Sequence, residues 1–173
     1  MTLLAEPIRT VVIEVLEDAL PDTFAYGAFA GQPIEAQQAM ARQTAIGAHW
    51  FDVELAAEEV HASSPVSALH SRRVMQVEVT IPIISHVPTT AQETERALIL
   101  NAIASDADDA AQALSVPGAL AATGAAVVTE IVSGLMFGPG RSGTPTWSLV
   151  TADWERQLIR STISGSLVVV AEA

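Results

Sequence analysis

The chain has 173 residues, half of them apolar, and a formal charge of -12 from twenty acidic side chains against eight arginines and no lysine. That length fits one domain burying roughly 70% of its unfolded surface, and the charge excludes the clustered Lys and Arg of a sequence-specific nucleic-acid surface. With no cysteine present, disulfides, thiolate nucleophiles and Cys-type zinc sites are excluded as well.

From Pro7 to Leu20, the residues Ile8, Val11, Val12, Val15, Leu16, Ala19 and Leu20 recur at three- and four-residue spacing, with Glu14, Glu17 and Asp18 on the wet face. This predicts a helix, with Pro7 in its first turn and Pro21 as its stop. The segment from Asp22 to Gly47 holds Phe24, Tyr26 and Phe29 among glycines and Pro33, without sustained periodicity; Glu35 to Thr44 is its one candidate for a short helix. Phe51, Val53 and Leu55 alternate with Asp52 and Glu54, which predicts a modest strand starting near His49 or Trp50, with a helix over Val53 to Val60 as the competing reading. Asp52 and Glu54 then share one strand face, where solvent is the ordinary explanation.

The strongest element is VMQVEVTIPII, Val74 to Ile84. Met75, Val77, Val79, Ile81 and Ile83 make one dry face, and Pro82 calls for an edge position or a bulge because it cannot donate to a ladder. Thr89 to Leu114 reads as a long helix. Thr89 and Thr90 stand three residues before Gln92 and Glu93 in capping-box spacing, and Ile99, Ile103, Ala107, Ala110 and Leu114 share a face opposite Asp106, Asp108 and Asp109. Val127 to Met136 and Ile159 to Val170 are the last strand candidates, separated by a glycine and proline loop and the Trp147 to Trp154 region. The expected fold is α+β: a mainly antiparallel sheet of about four strands, a long N-terminal helix, and a second long helix packed on it, in one domain over 1–173. The opening MTLLAEPIRT lacks a signal-peptide pattern and no apolar run reaches ~18 residues, so a soluble, unprocessed chain without a membrane association is expected.

Catalytic and cofactor motifs fail on inspection. Gly138, Gly140 and Gly143 spell GxGxxG, yet Thr144, Pro145, Thr146 and Trp147 do not open the helix that would hold a phosphate. A hairpin loop bearing Arg141, able to serve as an interaction arm, is the plainer reading. His49, His61, His70 and His86 show no metal-ligand spacing. Asp106, Asp108 and Asp109 begin like a calcium loop, but Ala110 and Ala111 follow and Pro117 takes the closing position, so a solvated helix face is expected. Ser164 is the nearest imitation of a nucleophile elbow and lacks its context. No catalytic, cofactor-binding or metal residue is therefore assigned, no cofactor is expected, and a non-enzymatic role is read. Trp147 and Trp154 read as anchors of the last strand.

PIRTVVIEVLEDALP, RRVMQVEVTIPI, TTAQETERALILNAIASDADDAAQAL, EIVSGLMFGPGRSG and IRSTISGSLVVV, taken in this order, resemble the tail terminator or tail completion proteins of tailed bacteriophages. The likeness is a pattern from Pro7 to Val170 without a diagnostic motif, and Asp22 to Gly47 has no obvious counterpart. It implies a homohexameric ring in the virion neck, assembled in the host cytoplasm. Such a ring caps the tail tube, joins it to the neck or stopper protein, has the sheath as a further candidate partner, and passes DNA through an acidic lumen without specific binding. Phe137, Arg141, Thr144 and Trp147 become the interface candidates. Two alternatives stay open: another neck protein, stopper or head-tail adaptor, and a small ligand-binding or enzymatic α+β domain suggested by the aromatics and histidines of Phe24 to His61.

Overall fold

The computed structural model describes residues 2–45, 47–59, 72–87, 93–115, 135–139, 146–153 and 156–172. In chain order these form α1 (Thr2–Ala19), β1 (Phe24–Tyr26), α2 (Ile34–Ala41), β2 (His49–Phe51), β3 (Glu54–Glu59), β4 (Arg72–His86), α3 (Glu93–Ser115), β5 (Leu135–Pro139), β6 (Thr146–Asp153) and β7 (Leu158–Glu172). The expected α+β class holds, and the sheet is mainly antiparallel, with one parallel pair, β1 and β2. The described sheet has seven strands rather than about four, and the short helix expected near Glu35 to Thr44 is present as α2, which makes a third helix beside the two long ones.

The sheet is organised around one long antiparallel pair. β4 and β7 run together over fifteen residues each, from Arg72 opposite Glu172 to His86 opposite Leu158. β2 and β3 follow one another along the free side of β4, and β6 and β5 along the free side of β7. Alternation on β4 produces the dry face the sequence announces: Val77, Val79, Ile81 and Ile83 are buried. Onto this face pack Ile8, Val11, Val12, Val15 and Leu16 of α1 and Ala110, Ala111 and Leu114 of α3, around Phe51 and Ile163. Each fully buried aliphatic side chain in such a layer contributes about 1.5–3 kcal/mol by leaving water. On the opposite face α2 covers only one end, where Phe29 and Ala41 close over Ile84 and Leu158.

Several local expectations change for physical reasons. α1 begins at Thr2, which places Pro7 inside the helix instead of in its first turn; the missing N–H removes one bond near the helix start, where tertiary packing of the following turns outweighs it. Leu20 N–H still donates to Leu16 O, and Phe24 N–H to Pro21 O, so Pro21 does act as the stop. The helical reading of 53–60 loses to β3, whose six residues Glu54 to Glu59 pair with Thr80 to Met75 of β4. Pro82 lies in a central strand, not at an edge. Asp52 N–H donates to Pro82 O at the break between β2 and β3, so the proline faces the one point of that side where no strand residue asks for its N–H.

Farther along, α3 confirms the buried face of Ile103, Ala107, Ala110 and Leu114, while Thr89, Thr90 and Gln92 of the expected cap lie outside the described residues. β5 runs from Leu135 to Pro139, so Phe137 and Gly138 belong to a strand rather than to the loop, and 127–134 lie outside the described residues. Thr146–Asp153, read as a connecting region, is strand β6, in register with β7 apart from a shift between Leu149 and Thr151. The β6–β7 turn places Gln157 at φ 59°, a backbone conformation uncommon for a side-chain-bearing residue. Asp153 fixes this turn by accepting from the Arg156 backbone N–H at 3.0 Å and its guanidinium at 3.1 Å.

Candidate functional site

Two buried polar groups stand three residues apart, His49 at the expected strand start and Asp52 just beyond β2, buried where the alternation gave it a solvated face. Phe51, Asp52 and Val53 are all buried in succession. The ladder is interrupted at Asp52 and Val53, between the end of β2 at Phe51 and the start of β3 at Glu54.

Asp52 turns inward and is filled with donors. Its Oδ2 accepts from the backbone N–H groups of Phe29 at 2.8 Å and Ala30 at 2.6 Å; its Oδ1 accepts from Arg9 Nη2 at 2.8 Å and from Val53 N–H at 2.7 Å. Arg9 also donates through Nε to Val53 O at 3.1 Å. The carboxylate is 1% exposed and its arginine 31%. Four donors, one of them cationic, satisfy a buried carboxylate and make it tolerable in an apolar layer. The result ties α1, the 27–33 loop and the strand break into one corner. Gly27 belongs to the same corner, since its N–H donates to Phe51 O and a Cβ there would come within 2.8 Å of Trp50 Cε3.

His49 is equally buried. Its Nε2 lies 2.8 Å from Asp106 Oδ2 and its Nδ1 2.5 Å from Ser85 Oγ, with the Phe24 ring tilted against it at a centroid distance of 4.6 Å. The carboxylate can only accept, so Nε2 carries a hydrogen; in the neutral ring Nδ1 then accepts from the Ser85 hydroxyl. These three residue types are those of a hydrolytic triad, and the sequence spacing of His49, Ser85 and Asp106 concealed them. Their order in space differs from a working nucleophile. Ser85 is 2% exposed beneath the helices, while the end of the chain of bonds that meets solvent is Asp106, whose side chain is 37% exposed. The hydroxyl has no open side for a substrate, and a nucleophile must reach the atom it attacks. As packed, the bridge fastens the middle of α3 to β2 and β4.

Asp52 and Asp106 are thus both corrected from solvated positions to bonded ones. Of the calcium-like acidic run, Asp108 accepts from Gln112 Nε2 at 2.8 Å. His86 Nε2 lies 3.3 Å from Gln157 Oε1, and His61 and His70 fall outside the described residues. Among the described residues no three His, Asp or Glu side chains converge as a metal would require. No described helix is long and apolar enough to cross a membrane. One buried hydroxyl, Ser161 Oγ, has no hydrogen-bond partner among the described residues.

Of the interface candidates, Arg141 and Thr144 lie outside the described residues. Phe137 stands in register with Val169 and Trp147 with Ile163, six residues apart on β7, a spacing of about 20 Å along a strand. The fold therefore holds the two aromatic candidates on one sheet without bringing them into one patch.

The second sheet face supplies what the motif search could not. Beyond the end that α2 covers, Glu54, Glu78 and Ser164 are exposed, and Thr80 and Thr162 are half-buried; Glu54, Thr80 and Ser164 share one cross-strand row. This is a solvated stretch of carboxylates and hydroxyls on a surface whose reverse side is the core. No protein-family model matches the sequence, and no curated protein matches it.

Proposed function

We propose that this chain is a non-enzymatic structural protein of a tailed-bacteriophage virion, a ring-forming tail terminator at the head-tail junction. Copies would meet edge to edge in a heterologous contact that closes by rotation, cap the tail tube and join it to the neck. The observation that carries the proposal is the solvated sheet face with Glu54, Glu78 and Ser164. Turned towards a central hole in a protein of charge -12, it would repel a phosphate backbone and let DNA pass without sticking. The pattern likeness over most of the chain and the α+β architecture support the same reading.

Electron microscopy of the purified protein, with a tail-tube binding assay, tests it. Rings with a central hole that bind tube ends are the expected outcome; protein that stays monomeric at high concentration and ignores tail tubes would overturn the proposal. A stopper or adaptor would instead bind portal-side partners in preference to tubes.

The His49, Ser85 and Asp106 bridge is the one observation favouring an enzymatic reading. Covalent labelling of Ser85 by a serine-directed fluorophosphonate would support it. Absence of labelling is expected from the burial of the hydroxyl.

A further inference from the structure

Charge in this molecule is sorted by layer. On the core side of the sheet, α1 exposes Glu6, Glu14, Glu17 and Asp18 within one arc of about 120° of its circumference. Glu14 stands three residues before Glu17 and four before Asp18, so like charges meet on the helix surface. Glu17 and Asp18 also occupy the last turn, which holds no basic residue, and there the helix dipole favours a cation and disfavours a carboxylate. None of the four has an ion-pair partner among the described residues.

The opposite layer carries the complement. Of the arginines whose side chains are described, Arg9 is bound to Asp52 and Arg96 lies on α3, while Arg42, Arg156 and Arg160 are exposed around one corner. Arg160 lies in the row of Ile84 and Trp50, beside the patch that α2 covers. Gln38 of α2 donates to Arg156 O at 2.7 Å, and Arg42 follows Gln38 by four residues, one turn farther on the same side of the helix. The described acids nearby are Asp153, which Arg156 binds at 3.1 Å, and Glu35, seven residues before Arg42; Glu155 lies outside the described residues. Arg42 and Arg160 have no ion-pair partner among the described residues. Glu54 and Glu78 stand apart from this corner, level with positions four and six residues before Ile84 on β4, about 13–20 Å along the strand.

We infer that the Arg42, Arg156 and Arg160 corner is a self-association surface that receives the acidic outer face of α1 from a second copy of the chain. A partner attracted by the overall charge of -12 would be basic and would shun this corner. A second copy supplies what both patches lack: carboxylates for Arg42 and Arg160, and guanidinium groups for Glu17 and Asp18. Since the two patches lie on opposite faces of the sheet, the contact is heterologous and continues from copy to copy. The inference rests on the ring reading for closure of that series, but not for the contact itself, and it leaves the stretch of Glu54 and Glu78 outside the contact.

A charge swap in the full chain tests it. Arg42→Glu with Arg160→Glu reverses the corner, and Glu17→Arg with Asp18→Arg reverses the end of α1. Each double variant alone is expected to self-associate about tenfold more weakly than wild type. A one-to-one mixture of the two should associate as wild type does, because each then offers the other an opposite charge at both patches. Light scattering reads the mass, and electron microscopy reads the shape.

Wild-type assembly by both variants alone, or a mixture that stays dissociated, would overturn the inference and leave the ring reading standing. The expected pattern in assemblies without a central hole would support the inference and overturn the ring. A wild-type protein that is monomeric at every concentration would overturn both. Duplex DNA bound by wild type and released by Arg42→Glu with Arg160→Glu, with assembly unchanged, would assign the corner to phosphate instead. Should a variant fail to fold, salt decides the matter on the wild type: association should weaken about tenfold between about 0.05 and 0.5 M, and assembly indifferent to salt would overturn the inference.

Discussion

The Asp52 corner and the His49 bridge stand at opposite ends of the short strand β2 and bury polar groups of similar size by different means. Asp52 is closed off: both oxygens are filled by donors, three of them backbone N–H groups, so its partners exist only because the 27–33 loop and α1 are already in place. His49 joins side chain to side chain and ends at a carboxylate that water can also reach. The difference teaches where cooperativity resides. Loss of Asp52 strands several donors at once in a dry corner, while loss of His49 releases one helix whose acid can be rehydrated.

The largest test of that contrast is Asp52→Ala, which leaves Arg9 and the N–H groups of Phe29 and Ala30 without their acceptor. A loss of about 3–5 kcal/mol in urea unfolding is expected; a loss no larger than that of the histidine variant would break the comparison. His49→Ala should cost about 2–3 kcal/mol, from the cavity and the orphaned Ser85 hydroxyl. Hydrogen exchange would sharpen this result, since α3 amides should lose protection more than α1 amides do.

Ser161 offers the opposite sign. Its buried hydroxyl has no partner among the described residues, so Ser161→Ala should raise stability by about 1 kcal/mol. A loss of stability would mean that the hydroxyl is bonded after all.

Asp153 sets the bottom of the scale. The Arg156 backbone N–H, aided by its guanidinium and by Arg160, holds this carboxyl below the ordinary carboxylate range. A lowered folded-state pKa contributes stability above the unfolded value of about 3.9 and loses it as pH falls through the folded value. Asp153→Asn should therefore show a slightly lower Tm than wild type at neutral pH, and the two should converge in acid. A gap that widens in acid would contradict the assignment.

Much of the scaffold is legible in the residues themselves. The alternation from Val77 to Ile83, the helical spacing of Ile8 to Leu16 and the shared face of Ile103 to Leu114 are local records of which side meets the core, and burial follows them. Pro82 announced an interruption, although not its place in a central strand. The candidate site was far less legible. Asp52 sits in an apparently alternating run, and its consecutive burial with Phe51 and Val53 shows only once the strand is seen to break. His49, Ser85 and Asp106 are separated by tens of residues, and nothing in a single sequence marks which histidine will meet which acid. The nearest available signal was polarity where the pattern is otherwise apolar, as at Ser85 following Ile83 and Ile84.

What the amino-acid sequence alone determined is the set of elements with a strong period, the α+β class, and a charge that repels nucleic acid, because periodicity and net charge are sums over neighbours in the chain. Tertiary structure alone decided the seven-stranded order, the parallel β1–β2 pair and the conversion of two solvated-looking acids into bonded ones. Those depend on contacts between residues far apart in the chain, whose free energy exists only after the chain has closed on itself.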